Sequence, residues 1–268
     1  MDREPNGAGD RSRELERDLA DELPGALRDA PPEYFKPIDA AAPVSGHMPP
    51  PESHAPAAET PEHDWSYAAR ILYPLFRPIG SHGLPIAELD PDTLAIAASR
   101  GHAQPITDEG PCGIPLAFAL HEDGFDIMVN ADHVLAWRIS PAEVREAALR
   151  NLATWSATAP WTDEVSGDRR LLSSDSGEGW DAVRILLPDV REHLARELGA
   201  AGRILVGLPE RHLLIAGTLS PSDEEFAALF ADFVVEQAGG ADEPVDRRVL
   251  ELVGTDLVEF APVGQLTG

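Results

Sequence analysis

The clearest hairpin signal in the chain lies at residues 114–130, IPLAFALHEDGFDIMVN. Two apolar runs, Ile114–His121 and Phe125–Asn130, flank the tripeptide Glu122-Asp123-Gly124. An Asp-Gly pair supplies the positive φ that a tight turn between antiparallel strands requires. This stretch therefore predicts two directly connected, paired strands.

Two further hairpins are predicted towards the C-terminus. The runs Arg203–Leu208 and Leu213–Gly217 would pair across Pro209-Glu210-Arg211, and Arg247–Val253 would pair with Leu257–Phe260 around Gly254-Thr255. Short apolar runs bounded by turn residues predict additional strands: Thr93–Ser99, Arg169–Ser173 and Asp181–Leu187.

Helical spacing separates these strands. Residues 65–76 carry apolar side chains at helical intervals, and Pro78 would end that helix. Ser140-Pro141-Ala142-Glu143 has the pattern of a capping box with proline in the first turn. A third helix, marked by Val190, Leu194 and Leu198, would end at Gly199.

A fourth helix should open at Ser220-Pro221-Ser222-Asp223, with an apolar stripe of Phe226, Leu229, Phe230, Phe233 and Val234. Because strands come in hairpins with helices between them, we expect an α+β fold with a mixed or antiparallel sheet and packed helices. A doubly wound parallel sheet fits this order less well.

Composition divides the 268-residue chain near residue 62. Residues 1–62 hold 11 of the 25 prolines, and all five tryptophans come later. A segment so poor in aromatic residues cannot bury enough surface to offset its chain entropy. We expect a disordered Pro/Ala-rich tail over 1–62, a body over 63–262 with possible lobes 64–139 and 140–262, and a short tail over 263–268.

The tail contains one segment with helical character. Leu15, Leu19 and Leu23 fall at i, i+4 and i+8 within residues 11–23, and Pro24 follows. The segment is either a transient helix without a role or a docking helix that folds in the groove of a partner.

The net charge of −26 excludes some partners and favours others. Nucleic-acid binding requires clustered Lys and Arg, so we expect no nucleic-acid partner. The polar N-terminus, the absence of a long apolar run and the single cysteine, Cys112, predict a cytoplasmic protein with no membrane partner. The acidity would suit a basic protein partner.

Blocks between Leu72 and Pro262 resemble a known family. In order, they are LYPLFR at 72–77, VREAALRNL at 144–152, GWDAVRIL at 179–186 and LVGLPERHLLI at 205–215. They are similar to the YtpQ-like family of uncharacterised bacterial proteins, over roughly residues 70–262. The resemblance implies a cytosolic mixed α/β protein and no established reaction.

Common catalytic signatures are absent from the sequence, including phosphate-binding glycine loops, H-E-x-x-H and the G-x-S-x-G elbow. A nucleophilic Cys112 would need a nearby base or cationic group, and His102 and His121 are close in sequence. The simpler interpretation is a cysteine without chemistry, and the His and carboxylate residues have no diagnostic metal-ligand spacing. We therefore expect no cofactor and no metal.

Polar residues inside apolar blocks are the remaining candidates for a ligand or partner site. They are Arg77, Asn151, Asp181, Arg184, Arg211 and His212; Arg77 joins them because it resembles the family's arginine after the proline. Either they form such a site, or they satisfy one another in a buried hydrogen-bond network.

Three functions remain open. The first is a non-enzymatic binding or adaptor protein with a flexible docking tail. The second is an acidic immunity-type protein that neutralises a basic toxin. The third is an enzyme acting on a small polar ligand, which would require the candidate side chains to converge in one cleft.

Overall fold

A computed structural model describes residues 60–89, 104–122, 124–199, 202–221 and 223–261. The predicted strand Thr93–Ser99 and the tail leucines Leu15, Leu19 and Leu23 lie outside these ranges. Residues 60–62, which the sequence assigns to the tail, contact the body, since the Trp137 indole donates to the Pro61 carbonyl at 2.8 Å. The described residues fall within one compact unit.

The first sheet is mixed and is built around one long central strand, with which three other strands pair. Its strands are β1 (Leu72–Phe76), β2 (Leu84–Pro85), β3 (Ile106–Glu109), β4 (Pro115–Glu122) and β5 (Phe125–Met128). The order is β1-β4-β3-β2, and β5 also pairs with β4. The β4–β5 hairpin confirms the prediction from residues 114–130.

The second sheet is antiparallel and has six strands in the order β11-β10-β8-β9-β7-β6. They are β6 (Thr162–Ser166), β7 (Arg169–Ser174), β8 (Arg203–Glu210), β9 (Leu213–Leu219), β10 (Val249–Val253) and β11 (Asp256–Glu259). Both predicted C-terminal hairpins are present. The β8–β9 hairpin turns at Arg211-His212, because β8 continues through Glu210.

Five α-helices lie in the described residues: α1 (Trp65–Ile71), α2 (Ala131–Trp137), α3 (Pro141–Ser156), α4 (Pro188–Leu198) and α5 (Glu224–Gly240). The α+β prediction is therefore confirmed. Ser140 and Glu143 form the predicted capping box of α3. Asp223, the last residue of the predicted helix start, caps α5. Among the described residues, no helix combines the length and apolarity that crossing a bilayer requires.

The helix predicted over residues 65–76 is wrong in its second half. The observed helix α1 ends at Ile71. Residues Leu72–Phe76 form β1, which pairs with β4. Pro74 explains the change, because proline lacks an amide donor and its ring clashes within a helix. Pairing with β4 then buries Leu72, Leu75 and Phe76.

The strand predicted at Asp181–Leu187 is also wrong. Residues Ala182–Leu186 form a 3₁₀ helix. Short apolar runs do not distinguish strand from helix, and Pro188 follows immediately as the first residue of α4. In a 3₁₀ helix, residues three apart lie above one another, so Asp181 and Arg184 share a face.

One buried apolar cluster extends through both sheets, from Leu72 and Phe118 of the first to Val206 and Leu250 of the second. Residues of α3 and α4 belong to the same cluster, so the predicted lobes 64–139 and 140–262 share a core. A second cluster lies on the opposite face of the six-stranded sheet, beneath α5.

Two glycines determine how closely α5 approaches that sheet. A Cβ atom on Gly207 would lie 2.6 Å from Val234 of α5, and one on Gly217 would lie 2.8 Å from the Phe226 ring. Neither distance allows a Cβ atom without displacement of the neighbouring side chains. The helix therefore packs directly against the backbone of β8 and β9.

Candidate functional site

Asp181 and Arg184 lie in a closed hydrogen-bond network in the core. Their side chains are 0% and 1% exposed. The Ser174 hydroxyl donates to Asp181 and accepts from the Arg184 guanidinium. Ser176 also donates to Asp181 at 2.7 Å. The carboxylate is thus satisfied by two hydroxyl groups.

The remaining donors of Arg184 are also occupied. Its Nε donates to the Ser156 hydroxyl at 3.0 Å, and its terminal nitrogens reach the carbonyls of Ser156, Ala159 and Pro160. The guanidinium lies 4.3 Å from the centre of the Trp161 ring. Burial lowers the pKa of Arg184. This enclosure favours a structural role over ligand binding.

Asn151 also acts within the fold. Its side-chain amide donates to the carbonyls of Ala69 at 2.9 Å and Leu72 at 2.8 Å. These are the backbone groups at the end of α1, where the chain changes from helix to strand. Asn151 therefore stabilises the α1–β1 junction.

Arg211 connects the two sheets. Its guanidinium pairs with Asp126 of β5 and donates to the Gly179 carbonyl at 2.9 Å. Glu243 lies 3.3 Å away. Burial raises the pKa of Asp126, but hydrogen bonds from Arg211 and His121 together outweigh it and hold that pKa below its ordinary value.

His212 follows Arg211 in the turn and faces an acidic pocket of about 520 Å³. Its Nε2 lies 3.7 Å from Glu243, while its Nδ1 has no hydrogen-bond partner in the structure. The pocket also contains the carboxylates of Glu210, Glu236 and Asp242. No group of three or more described His, Cys, Asp or Glu residues is arranged to hold a metal.

The six candidate residues do not converge on one cleft. Asp181 and Arg184 share the core network, Arg211 and His212 share Glu243, and Asn151 lies at the α1–β1 junction. Arg77 follows β1, where its backbone amide donates to the Pro115 carbonyl at 2.8 Å. The convergence that the enzyme hypothesis requires is therefore not found.

Cys112 sits in an unusual backbone conformation, with φ of 53°. Its Sγ lies 3.4 Å from the Leu257 carbonyl. Burial raises the pKa of this thiol, an effect that Arg248 only partly opposes. A raised pKa disfavours the thiolate, so this environment is unlike that of a nucleophilic cysteine.

A different surface has the character of a binding site. Between α5 and β7 lies a groove of about 620 Å³, which we call the α5–β7 groove. Its apolar lining comprises Val165, Leu171, Leu213, Ile215, Phe226, Leu229, Phe230 and Phe233. The side chains of Leu229 and Phe233 are 50% and 37% exposed. Apolar residues exposed together in this way are typical of interaction surfaces.

Carboxylates line this groove from the sheet, and others lie near it on the exposed face of α5. Glu164 and Asp175 line it from the sheet, and Asp232 and Glu236 of α5 lie at helical spacing from Leu229 and Phe233. All four are exposed and form no ion pair with any residue that the structure describes. Glu225 also lies on this side and accepts from Arg169 at 3.3 Å.

A second groove, of about 710 Å³, lies on the other side of α5. This α5–β11 groove has small helix residues, Ala227 and Ala231, facing Val249 and Phe260. Its charged lining differs, since Arg203, Arg247 and Arg248 are present with the single carboxylate Glu259. Arg203 is paired with Glu251, and Arg248 is paired with Asp246 and Glu259. The lining of this groove therefore holds more basic than acidic groups, but two of its three arginines are neutralised by carboxylates.

The apolar stripe predicted for α5 does not reveal the α5–β7 groove, because helical spacing does not separate the buried members of the stripe from the exposed ones. Phe226, Phe230 and Val234 are buried, whereas Leu229 and Phe233 are not. The sequence signal that could have revealed the groove is the width of the apolar surface of α5. Val235 extends that surface beyond the stripe, and in the structure it is 48% exposed. A helix apolar over so much of its circumference has more apolar surface than one sheet can cover.

Comparisons with family models, with curated proteins and with solved structures found no match to this chain. The resemblance to the YtpQ-like family therefore stays a prediction, carried by the four sequence blocks.

Proposed function

We propose that this protein is a non-enzymatic binding or adaptor protein of the cytoplasm, whose body docks a protein partner in the α5–β7 groove. The observation that carries the proposal is the exposure of Leu229 and Phe233 beside an apolar groove of about 620 Å³. Leaving large apolar groups in water is unfavourable, by about 25 cal/mol per Å². A partner that covers them recovers this free energy.

The charge of the chain supports a basic partner. The net charge is −26, and the carboxylates that border the groove form no ion pair with other described residues. Opposite charge on a partner would speed association and disfavour acidic competitors. Neutralisation of a basic toxin is a second candidate function that this same acidic border favours.

The test is affinity purification from the host lysate with the full chain as bait. The variant L229S/F233S removes the exposed apolar groups of the groove. The matched control V253S/V258S changes two exposed valines, 54% and 42% exposed, on β10 and β11. We expect one or more proteins to be retained by the native chain and the control but lost with L229S/F233S.

Identical retention by all three chains would contradict this proposal. Elution of the retained protein by salt would support a basic partner, since exposed charge pairs are screened beyond about 8 Å at physiological ionic strength. For a toxin, the retained protein would be basic, and its activity would fall on binding.

The proposed docking tail is tested in the same purification. The full chain carrying L15A/L19A/L23A keeps the body unchanged. If the tail docks a partner, a protein retained by the native chain should be lost with this variant, independently of L229S/F233S.

A further inference from the structure

We infer that the occupant of the α5–β7 groove is a cationic amphipathic helix of the partner, lying on the sheet beside α5. The inference rests on the proposed function and specifies the chemistry of the partner. It requires space for a helix, an apolar floor and opposite charge beside that floor.

Space follows from the dimensions of the six-stranded sheet. Strands spaced about 4.8 Å apart give about 24 Å between the edge strands, whereas a helix with its side chains is about 10 Å wide. The helix α5 packs on β8, β9 and β10. A strip over β7 and β6, about one helix wide, therefore has no helix above it in the described structure.

The floor of this strip is apolar near α5 and polar at the edge. Leu171 of β7 pairs with Gly217 of β9 on one side and with Glu164 of β6 on the other, so all three positions face α5. Residues Ile215 and Phe226 complete the inner floor. An occupant would thus bury its apolar face against α5 and Leu171 and turn polar residues towards β6.

Charge determines the composition of the occupant. Glu164 and Asp175 line the groove from the sheet. On α5, the exposed Asp232 and Glu236 lie one helical turn beyond Leu229 and Phe233, outside the groove lining itself. Arg169, the basic residue lining the groove, is already bound by Asp223 at 2.6 Å and by Glu225. Lys or Arg residues flanking an apolar stripe would meet the carboxylates of the sheet, with those of α5 nearby, as in helix-in-groove recognition.

Two other occupants fit less well. A second copy of this chain would bring the same acidic border and a further charge of −26 against the groove. An acidic helix would fit the α5–β11 groove better, because Arg247 lines that groove beside Arg203 and Arg248, which are paired with Glu251 and Asp246.

The experiment measures binding of fluorescent peptides to the full chain by anisotropy. The probe is a synthetic helix of about 15 residues, roughly 22 Å long, with leucines along one face and lysines on both flanks. One comparison peptide replaces every lysine by glutamate. The other keeps the composition but scrambles the order, which removes the apolar face. We expect only the first peptide to bind tightly.

Variants of the protein then locate the binding. L229S/F233S should weaken binding of the lysine peptide at least about tenfold, since two apolar contacts are lost. E164Q/D175N, which neutralises the two carboxylates lining the groove, should weaken it about three- to tenfold and reduce its salt dependence. The matched controls are V253S/V258S near the other groove and D189N/E192Q, which neutralises two exposed carboxylates of α4. Neither control should change the affinity more than about twofold.

Three results would overturn the inference: equal binding of the glutamate peptide, equal binding of the scrambled peptide, or equal loss with V253S/V258S. The inference would also be overturned if the lysine peptide did not bind at a protein concentration of about 100 μM, at which a micromolar Kd would give nearly full binding. The purification with L229S/F233S judges the proposed function separately. If L229S/F233S loses a partner in the purification but the lysine peptide does not bind, the groove docks a protein segment other than a cationic amphipathic helix.

Discussion

Asp181 and Arg184 are both excluded from solvent, yet no direct ion pair joins them. The Ser174 hydroxyl lies between them, accepting from the guanidinium and donating to the carboxylate. Two buried charges are thus linked through one neutral group. Hydrogen bonds, more than direct Coulombic contact, stabilise the pair in the core.

Removing Arg184 should strongly destabilise the fold. The variant R184M fills part of the volume but leaves Ser156, Ser174 and three carbonyls without their donor, next to the buried Asp181. Breaking a buried charge network typically costs about 3–5 kcal/mol. Urea unfolding followed by circular dichroism should show this loss. The control R196M removes an arginine whose side chain is 67% exposed, and should change the free energy of unfolding by less than about 0.5 kcal/mol.

Arg138 should be a site where glycine stabilises the protein. It is the exposed C-cap of α2, in a left-handed conformation with φ of 56°. A side chain in this conformation costs about 1 kcal/mol, which glycine avoids. R138G should therefore raise the free energy of unfolding by about 0.5–1 kcal/mol. R138A should give no such gain, because alanine retains a Cβ atom; an equal gain would refute the strain argument.

The stability of the protein should fall below neutral pH, in part because of His133. Burial lowers the pKa of His133 from its ordinary value of 6.5, and Glu62 and Asp132 oppose this only partly. Its Nδ1 accepts the Asn130 amide at 3.2 Å, which requires a neutral ring.

The unfolded chain therefore binds a proton at a higher pH than the folded chain. The contribution to stability is present above pH 6.5 and is lost as the pH falls through the folded pKa. H133Q keeps a capping side chain and removes the titration. Urea unfolding between about pH 5 and 7 should give a shallower pH dependence for H133Q, by at most about 1.4 kcal/mol per pH unit. Burial also lowers the pKa of His193, so part of the pH dependence of stability should remain in H133Q.

Gly217 should not tolerate alanine. The added Cβ would lie 2.7 Å from Leu171 and 2.8 Å from the Phe226 ring. Overpacking of this kind costs about 1–3 kcal/mol. G217A should therefore lower the midpoint of urea unfolding, whereas G239A, whose Cβ would meet no atom within 4 Å, should not. Equal midpoints for the two variants would contradict the close packing of α5.

Local chemistry made much of the fold predictable. The β4–β5 hairpin, with Gly124 at positive φ, the Ser140–Glu143 capping box and the Gly254-Thr255 turn each depend on a few residues, and each is present in the structure. The helix at 65–76 was wrong because apolar spacing continued past Pro74 by coincidence. The 3₁₀ helix at Ala182–Leu186 was missed because five residues do not define a period.

The candidate site was less predictable, because it depends on which faces meet. Asp181 and Arg184 were recognised as unusual, but only the tertiary fold brings Ser156 and Ser174 to them. Leu229 and Phe233 have the spacing of core residues, and they remain exposed because α5 lies over β8, β9 and β10 and not over β7. Sequence periodicity indicates that one face of a helix is apolar, but it does not indicate which element, if any, covers that face.

Gly207 and Gly217 have a consequence for binding as well as for packing. By seating α5 against the backbone of β8 and β9, they set one wall of the α5–β7 groove at a definite distance from its floor before any ligand arrives. A preorganised wall loses little conformational entropy on association, so most of the ordering cost falls on the incoming segment. Differences in affinity among ligands should then track their own helical propensity.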